Sequence, residues 1–156
     1  MSLVEDLLET WEIHNRIHLY LLEAVAEESL GSTAASKGRK VGEQFAHIHN
    51  VRLMWLKSAD RELLEGLSKV EGKKALDKAL LGASLEASSR RILELLRTAL
   101  EEGGRVKGFK PHPAAFLGYL ISHESHHRGQ IALSLKQAEV PVERKVSYGL
   151  WEWGSR

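Results

Sequence analysis

The chain has no cysteine in 156 residues. That excludes disulfides, thiolate metal ligands and a cysteine nucleophile, so any metal chemistry has to use histidine and carboxylate side chains. Charge of one sign is also missing. Lys and Arg number 22 against 21 Asp and Glu, a net charge of +1. With no basic stripe along any segment, nucleic acid is not an expected partner. No run is apolar enough to span a bilayer. The start, Met1-Ser2-Leu3-Val4-Glu5-Asp6, lacks the basic and apolar parts of a signal peptide, so a cytoplasmic location is expected. Only three prolines interrupt the chain, there are no repeats or low-complexity tracts, and no segment alternates with a strand period. At 43% hydrophobic and 28% charged residues, the composition is that of one ordinary globular domain covering residues 1–156.

What remains is helical periodicity. Residues 3–30 carry Val4, Leu7, Leu8, Trp11, Leu21, Leu22 and Val25 at helical spacing and read as a first helix. Gly31 to Gly38 is a small-residue loop. A second helix is expected over about 40–58, with Val41, Phe45, Ile48, Val51 and Trp55 as its stripe. Residues 59–74 read as a turn and connection, with room for a short helix at 60–66. A third helix is expected over about 75–102, its outer face carrying Arg90, Arg91, Glu94 and Arg97. Pro113 suits the first position of a fourth helix running to about 138, and His112 before it reads as a loop residue. The tail after Pro141 holds Trp151 and Trp153, which are expected to pack on the helices or on a second subunit. Four long amphipathic segments predict an all-α, four-helix-bundle fold.

The histidines supply the chemistry. In the fourth segment, His123-Glu124-Ser125-His126-His127, His123 and His127 lie about 40° apart on the helical wheel, one turn above the other. Both fall within the apolar arc of Phe116, Leu117, Leu120, Ile131 and Leu135, with His126 at its polar edge. Two such imidazoles can grip a divalent cation, but a tight site needs a third ligand from another part of the fold. The second helix offers His47 and His49 on either flank of its stripe, and periodicity does not choose between them. His14 and His18 form another i,i+4 pair on the first helix and, with His126, are candidates to line or support a pocket. They could also close the fourth coordination position, which would make the protein a non-catalytic binding module. Glu124 is a candidate proton shuttle or hydrogen-bonding support for a ligand. Its competing reading is a surface pair with Arg128 four residues on. A bundle whose inward histidines are merely satisfied by hydrogen bonds, with no metal, is the bland alternative.

His-Glu-x-x-His is also the zinc-peptidase spacing, in which the Glu activates a metal-bound water. The residues after His127 supply no third His. A downstream carboxylate ligand would have to be Glu143 or Glu152, in a proline-broken tail, and no strand is expected to hold a peptide. With the third ligand on an upstream helix, three His and an open fourth position would instead make a catalytic centre.

Two segments, Phe45-Ala46-His47-Ile48-His49-Asn50-Val51 and His123-Glu124-Ser125-His126-His127-Arg128-Gly129-Gln130-Ile131, resemble the two signatures of the DinB-like superfamily, which includes the DinB and YfiT-like proteins. The resemblance extends over nearly the whole chain. It implies a four-helix bundle holding zinc or nickel through three histidines, here His47, His123 and His127, and so selects His47 over His49. It further implies a homodimer. For members with known activity it implies transfer of a small thiol onto an electrophile, or hydrolysis of an amide.

Overall fold

A computed structural model describes residues 2–156; Met1, part of the start compared with a signal peptide above, lies outside them. Among the described residues there are five α-helices, several short 3-10 turns and no strand. The helices are α1 (Leu3–Ala24), α2 (Val41–Ala59), α3 (Lys78–Glu102), α4 (Pro113–Gln137) and α5 (Arg144–Gly149). α1 packs on α3 and α4, and α2 packs on α3 and α4.

Local chemistry sets most of the boundaries. Ser2 Oγ accepts from the Glu5 N–H at the start of α1, and Asp77 Oδ1 accepts from the Leu80 N–H at the start of α3. Gly103, at φ 68°, ends α3 in the left-handed conformation that glycine adopts without strain. His112 is more than a loop residue: its Nδ1 accepts from the Ala115 N–H, so it caps α4, with Pro113 following at the first helical position.

The first helix is shorter than its periodicity predicts. It stops at Ala24, Val25 is extended, and Glu27–Gly31 forms a separate 3-10 turn. Lys78 Nζ donates to the carbonyl oxygens of Glu23 and Val25, both at 2.8 Å. A cation from α3 thus satisfies carbonyls that continued helix would otherwise have bonded. The 59–74 connection holds the short helical turn expected near 60–66, at Arg61–Leu64, and a further one at Gly72–Leu76. That second turn lies hard against α2: a Cβ on Gly42 would collide with the Ala75 carbonyl oxygen.

The apolar core has two halves. One gathers Leu21, Phe45, Ile48, Leu81, Leu85, Ile131 and Leu135. The other gathers Leu8, Trp11, Leu56, Ile92, Leu96, Phe116 and Leu120. Between them, at matching heights on all four long helices, lie buried polar side chains: His14 and His18 on α1, Arg52 on α2, Ser88 on α3, and Glu124 and His127 on α4.

Beyond Pro141 the chain turns back and forms α5, which the proline-broken tail did not predict. Val142 and Leu150 touch the first core half. The Arg156 guanidinium lies 3.8 Å from the centre of the Tyr20 ring. Trp151 remains 79% exposed.

Candidate metal centre

His123 and His127, one turn apart on α4, place their Nε2 atoms 3.2 Å from each other. The His47 ring, from α2, lies with its centre 4.5 Å from that of His127 and 5.5 Å from that of His123. One nitrogen from each of the three rings lies within 4.8 Å of the others. His47 and His123 are half-buried and His127 is buried. The structure therefore brings together the three histidines drawn from the two sequence segments.

The hydrogen bonds behind His127 assign its tautomer. Its Nδ1 faces two side-chain amide oxygens, Gln44 Oε1 at 2.8 Å and Gln130 Oε1 at 3.1 Å. An oxygen only accepts, so the hydrogen is on Nδ1 and the Nε2 lone pair points at His123 and His47. A tetrahedral centre with bonds of about 2.0 Å to nitrogen has its ligands about 3.3 Å apart, close to the separation of His123 and His127. His123 Nδ1 is buried without a partner. Burial lowers the affinity of all three rings for protons. For His127, burial together with the facing His47 and His123 rings pushes the pKa down to about 4. For His47 burial acts first and the Arg39 charge adds to it. For His123 burial outweighs the opposing pull of Glu124. The three imidazoles are therefore neutral at pH 7, the form that binds a cation.

His49 is settled differently. It is buried, and its Nε2–H donates to the Ser68 carbonyl oxygen at 2.8 Å. It ties α2 to the connection before α3 and does not reach the three-ring cluster.

His47 also lines a recess of about 320 Å³ with Arg39, Glu43, Asn50 and Glu71. On the other side, Tyr119 lies nearly parallel to the His123 ring, with centres 6.4 Å apart. Tyr119 belongs to an edge-to-face group with Trp55, Phe109 and Phe116. His126 is exposed, its ring centre 5.1 Å from that of His127.

A second cluster lies one step deeper. His14 and His18 are fully buried in the core, so they do not line open space; both place Nε2 3.1 Å from Glu124 Oε1 and 3.1 Å from each other. By spacing alone these three groups could also hold a cation, but their neighbours argue otherwise. Arg52 Nε donates to Glu124 Oε2 at 2.9 Å and its Nη2 to Oε1 at 2.7 Å, so the carboxylate is already taken by a bidentate guanidinium. Arg128 Nη1, a donor, faces His18 Nδ1 at 3.4 Å, which leaves the His18 hydrogen on Nε2, aimed at Glu124. A divalent ion there would add to two cations in a dry interior facing one carboxylate. This cluster is a hydrogen-bonded lock joining α1, α2 and α4. Arg52 extends it to α3 by donating to the Leu85 carbonyl at 2.8 Å and to Ser88 Oγ at 3.2 Å.

The lock corrects the surface reading of Glu124. The side chain is 1% exposed and is paired with Arg52 rather than with Arg128. Burial by itself raises its pKa, but the Arg52 charge and the hydrogen bonds from Arg52, His14 and His18 hold it well below the usual carboxylate range. Burial pushes His18 down to about 3, with the His14 ring adding to the effect.

Arg52 is the residue that pattern reading missed. It lies on the row Phe45, Ile48, Arg52, Leu56, at spacings of three and four, and all four are fully buried. A basic residue on that row, with Glu124 on the row Leu117, Leu120, Glu124, Ile131, was the available signal for an internal ion pair.

A family model, that of the DinB family, matches residues 1–145. No curated protein and no solved structure matches the chain.

Proposed function

The chain belongs to the DinB family, and on that premise we propose that it is a four-helix-bundle protein of one domain, residues 1–156, that binds a single divalent metal, zinc or nickel, through His47, His123 and His127. The observation that carries the reading is the convergence of one nitrogen from each of His47, His123 and His127 within 4.8 Å of the others, with the Gln44 side-chain oxygen on the far side of the His127 ring. With its hydrogen donated to Gln44, the ring turns a lone pair toward two other neutral imidazoles. Without a cation, such a cluster can satisfy only some of those facing lone pairs.

With His47, His123 and His127 as its three protein ligands, a bound metal would have a fourth position open to a small molecule and would lower the pKa of a water or thiol held there. We assign the protein to metal-dependent enzymes of the thiol S-transferase or amide hydrolase type. His14 and His18 are committed to Glu124, and the exposed His126 is not among the grouped ring nitrogens, so none of the three closes the fourth position, which favours an enzyme over a non-catalytic metal or small-ligand binding module. The recess beside His47 gives a substrate access, and Arg39 places a positive charge at its edge. Gln44 orients His127. We take Glu124 as a support of the internal lock rather than a proton shuttle, because four nitrogens, two from Arg52 and one each from His14 and His18, lie on its two oxygens. That assignment also removes the peptidase reading, which needs this carboxylate free to activate water. We further propose a cytoplasmic homodimer acting on a small thiol or electrophile, without nucleic acid or membrane; among the described residues no helix is long and apolar enough to cross a membrane.

The test is metal analysis of purified protein followed by titration of the chelated form with zinc and nickel. One metal per chain is expected, with binding lost in His47→Ala, His123→Ala and His127→Ala and kept in His14→Ala. Conjugation of glutathione, bacillithiol or mycothiol to an electrophile, and amide hydrolysis, would then be assayed with and without chelator. Less than a tenth of a metal per chain and no thermal shift on adding either ion would refute the metal; full loading with no turnover in any assay would refute the enzyme.

A further inference from the structure

The largest cavity described, about 550 Å³, lies away from the three-histidine cluster, between the outer face of α4 and the segment formed by α5 and the chain after it. Its apolar walls include Ile121, Leu150, Trp151 and Trp153. Two cations reach it, Arg128 and Lys136, and no carboxylate lines it. Ligand sites of this kind are mostly apolar, with a few polar groups that fix orientation, and fall in this size range.

Arg128 is the informative residue. It is half-buried, it donates to Ser125 Oγ at 3.2 Å and faces His18 Nδ1 at 3.4 Å, and it forms no ion pair among the described residues. The one carboxylate on its inner side, Glu124, attracts it only through space and is hydrogen-bonded instead to Arg52, His14 and His18. A guanidinium partly withdrawn from water with no anion in contact is costly, and Glu124 at a distance offsets only part of that cost. Trp151, 79% exposed at the rim, is the most exposed large apolar side chain described, and it carries the apolar wall of the cleft out to the surface.

We propose that this cleft binds a small amphipathic carboxylate, its acid group on Arg128 with Lys136 beside it and its apolar body against Ile121, Leu150 and the two tryptophans. The site is independent of the metal. Gly129 opens onto it from mid-helix: a Cβ there would meet nothing within 4 Å, so a large side chain at this position projects into the cleft without disturbing the core.

Octanoate and 1-octanol are the probes, read by calorimetry and by tryptophan fluorescence on the full chain. Octanoate is expected to bind one per chain and at least tenfold more tightly than octanol, with equal affinity with and without chelator. Gly129→Leu should abolish binding while raising or preserving the melting temperature. Arg128→Gln should bring the acid and the alcohol to similar affinity. Because Arg128 also touches His18, the exposed Lys136→Gln gives a second check, weakening the acid and leaving the alcohol unchanged. The proposal is overturned by equal binding of acid and alcohol to the unaltered protein, by unchanged binding in Gly129→Leu, by an affinity that disappears with chelator, or by a dimer that buries Trp151 and excludes the probe.

Discussion

Replacing Arg52 with methionine tests the internal lock most directly. Methionine keeps much of the length and apolar stem but removes four hydrogen bonds, to both Glu124 oxygens, the Leu85 carbonyl and Ser88 Oγ, together with the guanidinium packed 4.9 Å from the Trp11 ring centre. Glu124 keeps only the two imidazole N–H donors and stays 1% exposed. Stripping one partner from a buried ion pair costs about 3–5 kcal/mol. Against a total stability of about 5–15 kcal/mol for a domain, this is a shift in melting temperature of roughly 6–20 °C. The loss should depend on pH. In the unaltered protein Arg52 keeps Glu124 ionised; in the variant burial dominates, the folded-state pKa rises above the unfolded one, and the neutral acid is tolerated at lower pH. Urea unfolding at pH 7 and pH 5 should therefore show a smaller penalty at pH 5. Arg52→Met/Glu124→Met should be less destabilised than the sum of the two single changes, with a coupling of several kcal/mol in the double-mutant cycle. A loss under about 1 kcal/mol at pH 7, or additive single effects, would refute the assignment of this pair as the centre of the core.

Gln44→Ala should weaken zinc or nickel binding by about 10- to 100-fold, because it releases the ring that Gln44 orients, while leaving the metal-free melting temperature nearly unchanged; calorimetry on chelated protein checks this. Acid stability follows from the buried imidazoles. His18 stays neutral in the fold down to about pH 3 but takes a proton near pH 6.5 when unfolded. Its contribution is therefore complete above pH 6.5 and is lost as pH falls toward 3, at up to about 1.4 kcal/mol per pH unit. Chemical unfolding from pH 7 to pH 4 should show stability falling with acid, and His18→Phe should flatten that slope. Gly42→Ala should cost about 1–3 kcal/mol in a thermal melt, since its methyl meets the Ala75 carbonyl; an unchanged melt would show that the Gly72–Leu76 turn moves freely.

Helical class was legible from periodicity, because an amphipathic stripe is a local property repeated every three or four residues. The i,i+4 placement of His123 and His127 was legible for the same reason. His47 came from its likeness to a family signature, since His47 and His49 flank one stripe almost symmetrically and only their neighbours across space tell them apart. Those neighbours are the α4 rings for His47 and the Ser68 carbonyl for His49.

The sequence by itself thus determined that the chain is helical, that it has no thiol chemistry, and that two imidazoles share one helix face. Only the tertiary structure decided that Glu124 turns inward to Arg52, that His14 and His18 serve that carboxylate, and that Lys78 ends α1 at Ala24. The reason is range. Helical spacing is set by bonds four residues apart, whereas a buried charge is placed by whichever opposite charge the packing brings to it, here 72 residues away along the chain.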